Sequence, residues 1–233
     1  MDIIKNMQKI CYFFNVKSLL LRFIDYSHTS FSMFKIIFGK EKNKVVKTMK
    51  VLVAMDEFNG IISSYQANRY VEEAVASQIE DADIVQVPLF NGRHELLDSV
   101  FLWQSGNKYR VSAHDADMKE TEAIYGQTDS GMTIIEGHLF LNGKKPIQHR
   151  SSYGLGEVIK AALDNHTEHL VISLGGIGSF DGGAGMLQAL GARFYDDEAQ
   201  IVDMRKGADL IKYIRRIDLS GVHPQLAKVN IQL

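Results

Sequence analysis

The sequence predicts an α/β fold: a parallel sheet carrying helices, with a small antiparallel β subdomain inserted. Three observations predict it. From Lys50 to Trp103, short apolar or β-branched runs alternate with helix-forming stretches, the pattern of strands joined through crossover helices. Between Lys108 and Phe140, three strand-like runs follow one another with no helix between them. An apolar run, Leu170–Leu174, then enters a loop with five glycines between Gly175 and Gly183 and leaves it as a helix-forming run, Ala184–Leu190.

In order, KVLVAM at Lys50–Met55 reads as a buried strand that ends in Asp56-Glu57-Phe58-Asn59-Gly60. Ser63 or Ser64 caps a helix over Tyr65–Ile79. Asp83–Pro88 is a second strand, and Asn91-Gly92 turns the chain into a helix near Glu95–Trp103. The antiparallel strands are Tyr109–His114, Glu120–Gln127 and Met132–Phe140, with Asp129-Ser130-Gly131 as a turn. A helix over Gly154–Asn165 leads to the glycine loop. After it come a strand at Arg193–Tyr195, a turn at Asp196–Glu198 and a last strand at Lys228–Leu233.

Charge divides the 233 residues into two parts. Residues 1–48 carry nine Lys/Arg against three Asp/Glu, while the other 17 Lys/Arg and 25 Asp/Glu fall in 49–233, so the two parts stand at +6 and −8. An acidic body is a poor partner for nucleic acid, whose binding rests on neutralising phosphates. Lys17, Arg22, Asp25 and Lys35 interrupt the apolar runs of the first part, which leaves no integral membrane segment. This basic extension is expected to lie outside the fold, with Met49 as the start of the body, and 108–140 as a β-rich insertion within 49–233. One cysteine, Cys11, excludes an internal disulfide and fits a reducing, cytoplasmic setting.

The glycine loop has the strand–loop–helix order in which backbone N–H groups and a helix dipole face an anion. It lacks the Gly-Lys-Ser/Thr ending of a P-loop and the third glycine of a dinucleotide fold. Asp181 has two readings: a helix N-cap, or a carboxylate that holds Mg²⁺ or takes a proton from a substrate hydroxyl. Ser151–Glu157 likewise reads as a capped helix start with an acid in its first turns, or as part of a site. Asp56 stands at the carboxyl end of a strand, where open α/β sheets place ligand groups. Of the histidines in 49–233, only His166/His169 approach a metal-ligand spacing, weakly.

Set side by side, these stretches resemble the glycerate kinase family, ATP- and Mg-dependent enzymes that phosphorylate D-glycerate. A DSFKG-like motif corresponds to Asp56–Gly60, and a DGGEGT-like motif to Asn91-Gly92-Arg93-His94-Glu95-Leu96. A YGTGELI motif corresponds to Tyr153–Ile159, and GGSATNDGGAGMLQALG to Gly175–Gly191. The resemblance covers about Met49–Leu233. It implies a two-domain α/β fold with a parallel Rossmann-like sheet, an active site in the cleft between the domains, and an incomplete C-terminal part, because such kinases are considerably longer.

The resemblance also implies site roles. ATP phosphates would lie on Gly175, Gly176, Gly178, Ser179, Gly182 and Gly183. Asp181 and Asp56 would be the catalytic acids, with Mg on Asp181. Glycerate would lie near Asn59, Gly60, Asn91, Gly154, Gly156 and Glu157. Several family positions are changed: the motif lysine is Asn59, the acids of DGGEGT are Asn91 and His94, a glycine between them is Arg93, and the Asn of NDGG is Phe180. Those changes carry the alternative, a catalytically degenerate paralogue that binds an organic acid, a nucleotide or a protein partner.

Overall fold

The computed structural model describes residues 35–39, 49–58, 61–92, 95–176 and 178–233; for 35–39 only the backbone strand is described. The chain divides into two compact units, residues 1–91 and 92–233.

The first unit holds a three-stranded sheet in the order β1-β2-β3 and one helix. β1 is Lys35–Gly39, β2 Met49–Ala54 and β3 Ala82–Gln86. β2 lies between an antiparallel β1 and a parallel β3. The placement of Lys35–Gly39 in this sheet departs from the expectation that all of residues 1–48 lie outside the fold; the rest of that extension falls outside the described residues. Helix α1 (Ser64–Ala76) starts at a capping box, in which Ser63 and Gln66 satisfy each other's backbone N–H. Val51 and Val53 of β2, with Met55 just past its end, meet Ala67 and Val71 of α1 in a buried core. The buried stripe of α1 also carries a polar residue, the fully buried Asn68. Its amide donates to the carbonyls of Met55 (3.2 Å) and Ser64 (2.6 Å), and its Oδ1 accepts from Met55 N at 3.3 Å.

The second unit is built on a five-stranded mixed sheet, order β10-β7-β6-β5-β4. Its strands are β4 (Gly106–His114), β5 (Glu120–Thr128), β6 (Met132–Glu136), β7 (His169–Ser173) and β10 (Asn230–Gln232). β4, β5 and β6 are antiparallel as expected, but they are not a separate subdomain. β6 pairs in parallel with β7, and β7 with β10, so the antiparallel strands are one wing of a continuous sheet.

Both faces are covered, and adjacent residues of one strand show it. Ile135 joins Leu155, Val158, Ile159, Ala162 and Leu163 of α4 (Tyr153–Asp164) in the main core. Its neighbour Ile134 packs with Leu96 and Leu97 of α2 (Leu96–Phe101) on the opposite face. Each such side chain stabilises the fold by about 1.5–3 kcal/mol through its burial.

Two elements differ from the sequence reading. The strand expected over Met132–Phe140 stops at Glu136, and His138–Leu141 form a short helix, α3. Gly137 has helical dihedrals and donates to Ser173 O at 2.8 Å, which turns Phe140 and Leu141 under the sheet into the main core. The other is a strand the sequence did not announce. β9 (Arg216–Asp218) pairs antiparallel with β8 (Arg193–Tyr195), beside a third buried cluster centred on Phe194 and Met204. It is three residues long, too short to show an alternation. Helix α5 (Ala184–Ala189) follows the glycine loop.

The far end of α4 carries a surface charge network. Asp164 accepts from Lys160 Nζ at 2.8 Å and pairs with His223 Nε2 at 2.9 Å, and these two partners hold its carboxyl below the ordinary 3.8. Asp203, bonded to Arg205, is lowered in the same direction. A carboxyl with a lowered folded value adds stability above its ordinary range and loses it as pH falls through the folded value. Denaturant unfolding is therefore expected to hold level down to about pH 4 and to weaken below it. Asp164→Asn should flatten that acid limb by less than about 1 kcal/mol, since the pair is half-exposed.

Candidate active site

In the first unit, the carboxyl end of β2 is shaped by Asn68, which clamps Met55, and by Leu89 N, which donates to Met55 O at 2.8 Å. The next two residues are acids. Asp56 is half-buried; burial pushes its carboxyl up, the Glu57 amide opposes this at 2.7 Å, and the Glu57 charge adds to the rise. Glu57 is itself buried and accepts from Asn91 Nδ2 at 3.1 Å. The structure thus brings together Asp56 and Asn91, which the sequence reading named, through Glu57, which it passed over. Asn59, Gly60, Arg93 and His94 fall outside the described residues.

In the second unit the glycine loop leaves β7 and is fixed from both sides. Gly175 N donates to Gly92 O at 2.7 Å, and the Ser173 hydroxyl bonds the same carbonyl. Asn142 Nδ2 donates to Gly176 O at 3.0 Å and Arg150 Nη1 to Gly178 O at 2.9 Å, while Gly178 N donates to Leu141 O at 3.1 Å. Gly176, Gly182 and Gly183 take positive φ values of 69°, 59° and 77°, the left-handed region that favours glycine. Ser179 is buried, and its hydroxyl has no partner among the described residues.

Asp181 closes the loop, and its geometry is that of a cap. It is 2% exposed. Its Oδ2 accepts from Ser152 N (2.8 Å), Ser152 Oγ (2.8 Å) and Gly185 N (3.1 Å), and its Oδ1 from Gly183 N (3.0 Å). Ser152 Oγ in turn accepts from Met186 N at 2.9 Å. One carboxylate therefore joins the start of α4 to the start of α5. These contacts show the cap role; the ligand role is compatible with it, since Oδ1 accepts a single hydrogen bond. No group of three or more His, Cys, Asp or Glu among the described residues could hold a metal ion. The first amides of α5 are consumed as well, so the expected anion seat at that helix start is not available. The loop amides with no acceptor among the described residues belong to Gly176, Ser179, Phe180, Asp181 and Gly182.

Two further motif glycines have packing reasons. A Cβ on Gly154 would overlap the carbonyl oxygen of His114, and one on Gly156 would overlap Met186 O. They bring α4 against the end of β4 and against α5. Glu157, one turn on, accepts from His114 N at 2.9 Å and meets the His114 Nδ1 at 2.9 and 3.0 Å. His114 carried no signal in the sequence reading, because its partner lies 43 residues away.

The chain as a whole is similar to known proteins. The model of the glycerate kinase family matches residues 51–233. A glycerate kinase of Halalkalibacterium halodurans is 29% identical over 190 residues, covering 78% of this chain and 50% of the relative. The glycerate kinase of Bacillus subtilis is 28% identical over 192 residues, and the glycerate 2-kinase of Escherichia coli 26% identical over 192; each alignment covers 79% of this chain and 50% of the relative. The crystal structure of a putative glycerate kinase 2 from Salmonella typhimurium LT2 superposes with a TM-score of 0.69 at 27% identity, covering 79% of this chain and 51% of that one. The chain spans about half the length of the curated relatives it matches. With the match running from the first strand of the body through the glycine loop to Leu233, the chain belongs to the glycerate kinase family.

Proposed function

We propose that the protein takes part in transfer of a phosphoryl group from ATP, with Mg²⁺, to a hydroxyl of glycerate or a related hydroxy acid. The observation that carries this reading is the glycine loop of a family-matched chain, fixed at its carbonyls while the amides of Gly176 and of Ser179 to Gly182 have no acceptor among the described residues. Phosphoryl transfer draws mainly on positioning and on charge stabilisation. A phosphate oxygen would be met by those backbone amides and by the Ser179 hydroxyl, which is buried with no partner among the described residues. Asp181 would act by holding the loop rather than by touching the phosphate. Asp56, Glu57 and Asn91 form the polar group at the strand end of the first unit. Asp56 and Glu57 are the acids of that group that would approach a cation or the substrate. The small molecule is the expected partner, and the cytoplasm the expected compartment.

A second reading is favoured by one observation: the family lysine is Asn59, which removes a cation from the transfer site. In that reading the chain binds ligand without turnover. Measuring D-glycerate-dependent ADP formation, beside ATP binding by calorimetry, separates the two. Turnover that needs both ATP and D-glycerate is the expected result. ATP binding with no glycerate-dependent ADP would establish the degenerate paralogue instead.

A further inference from the structure

We propose that His114 and Glu157 form a proton-accepting dyad, with Glu157 as the positioning residue and the Nε2 lone pair of His114 as the acceptor for a hydroxyl of the hydroxy-acid substrate. This rests on the kinase reading above and deepens it by naming the group that takes the proton.

His114 is the last residue of β4, and its side chain is 35% exposed. Its Nδ1 lies within 3.0 Å of both oxygens of Glu157. A carboxylate oxygen accepts, so Nδ1 is the donor in this contact, and in the neutral form of the ring the lone pair lies at Nε2. Nε2 has no hydrogen-bond partner among the described residues. The ring is held by more than this contact. Glu157 also accepts from the backbone N–H of His114, and Gly154 lets the first turn of α4 sit directly on the His114 carbonyl.

The same turn of α4 is bonded to the glycine loop through Ser152 and Asp181. One helix start thus fixes both the loop and the imidazole, each at its own side. Asp181 is buried and engaged as the cap that ties Ser152 to Gly183 and Gly185. The charged and titratable groups around the dyad are Tyr153 of α4, Glu120 opposite His114 on β5, the adjacent Asp115, and Arg205. Arg205 lies 5.8 Å from the Tyr153 ring and is paired with Asp203 at 2.8 and 2.9 Å.

In the step, the substrate hydroxyl oxygen forms a bond to the terminal phosphorus of the nucleoside triphosphate as the bond to the nucleoside diphosphate oxygen breaks. The hydroxyl proton passes to Nε2, the imidazolium is stabilised by the Glu157 carboxylate, and the proton then leaves to water.

Glu157→Gln tests the arrangement with little change of shape. Its carbonyl can keep the His114 N–H bond while its NH2 donates to Nδ1, which moves the ring proton to Nε2 and converts the acceptor into a donor. Two-bond 1H–15N spectra should show the Nδ1–H tautomer in the wild type and the Nε2–H tautomer in the variant. The variant's kcat should fall by about 100-fold with KM for the acid within about twofold. His114→Gln should lose kcat by a similar factor and decides the matter if Glu157→Gln does not fold. An Nε2–H tautomer in the wild type, or an unchanged kcat in either folded variant, would overturn the dyad while the kinase reading stands. A wild type with no acid-dependent turnover would sink the kinase reading, and this inference with it.

Discussion

Gly154→Ala is expected to destabilise the second unit by about 4 kcal/mol or more, a loss visible as a melting transition lowered by about 10–15 °C. The added methyl overlaps a backbone oxygen, that of His114, so no side-chain rotation relieves it. Relief requires α4 to lift from the end of β4, which strains the buried contacts of Leu155, Val158 and Ile159 together. Gly182→Ala provides the contrast. A Cβ there meets nothing within 4 Å, so only the strain of its φ of 59° remains, about 1 kcal/mol. Differential scanning fluorimetry on the two variants checks this. Equal melting temperatures would show that α4 does not dock as described.

Asp181 is expected to matter to the fold before it matters to any ligand. Asp181→Ala leaves Ser152 N, Gly183 N and Gly185 N without an acceptor in a buried place, at a cost of about 3–5 kcal/mol. Asp181→Asn keeps one acceptor oxygen and should cost roughly half as much. Denaturant unfolding of both variants without ligand gives the answer. A carboxylate poised for a cation would show the opposite pattern, with stability unchanged or raised on its removal.

Much of the fold was legible because the signals are local. Ser63 or Ser64 marks the start of a helix, which the structure caps at Ser63, and the run Gly154–Asn165 marks α4. The motif Asp181–Gly191 named the family from the sequence alone. What was not legible depends on partners far apart in the chain. Glu57 reads as one more acid until Asn91 is seen on its carboxylate. Phe140 reads as the end of a strand until Gly137 turns it beneath the sheet. The reading of Asp181 held two compatible roles open, and the cap among them shows only through Ser152, 29 residues earlier. Asn68 did leave a trace, a polar residue on the apolar stripe Ala67–Val71, and that mismatch is the kind of signal worth following to a buried backbone clamp.

The anchoring of the glycine loop has a consequence for the thermodynamics of anything that docks on it. A chain segment with five glycines has a large conformational entropy to lose, and in a free loop a ligand would have to supply it. Here Asn142, Arg150 and Asp181 restrict the loop as the unit folds, whether or not a ligand is present. The ordering cost is thus charged to folding stability rather than to affinity, and the loop meets its ligand preorganised.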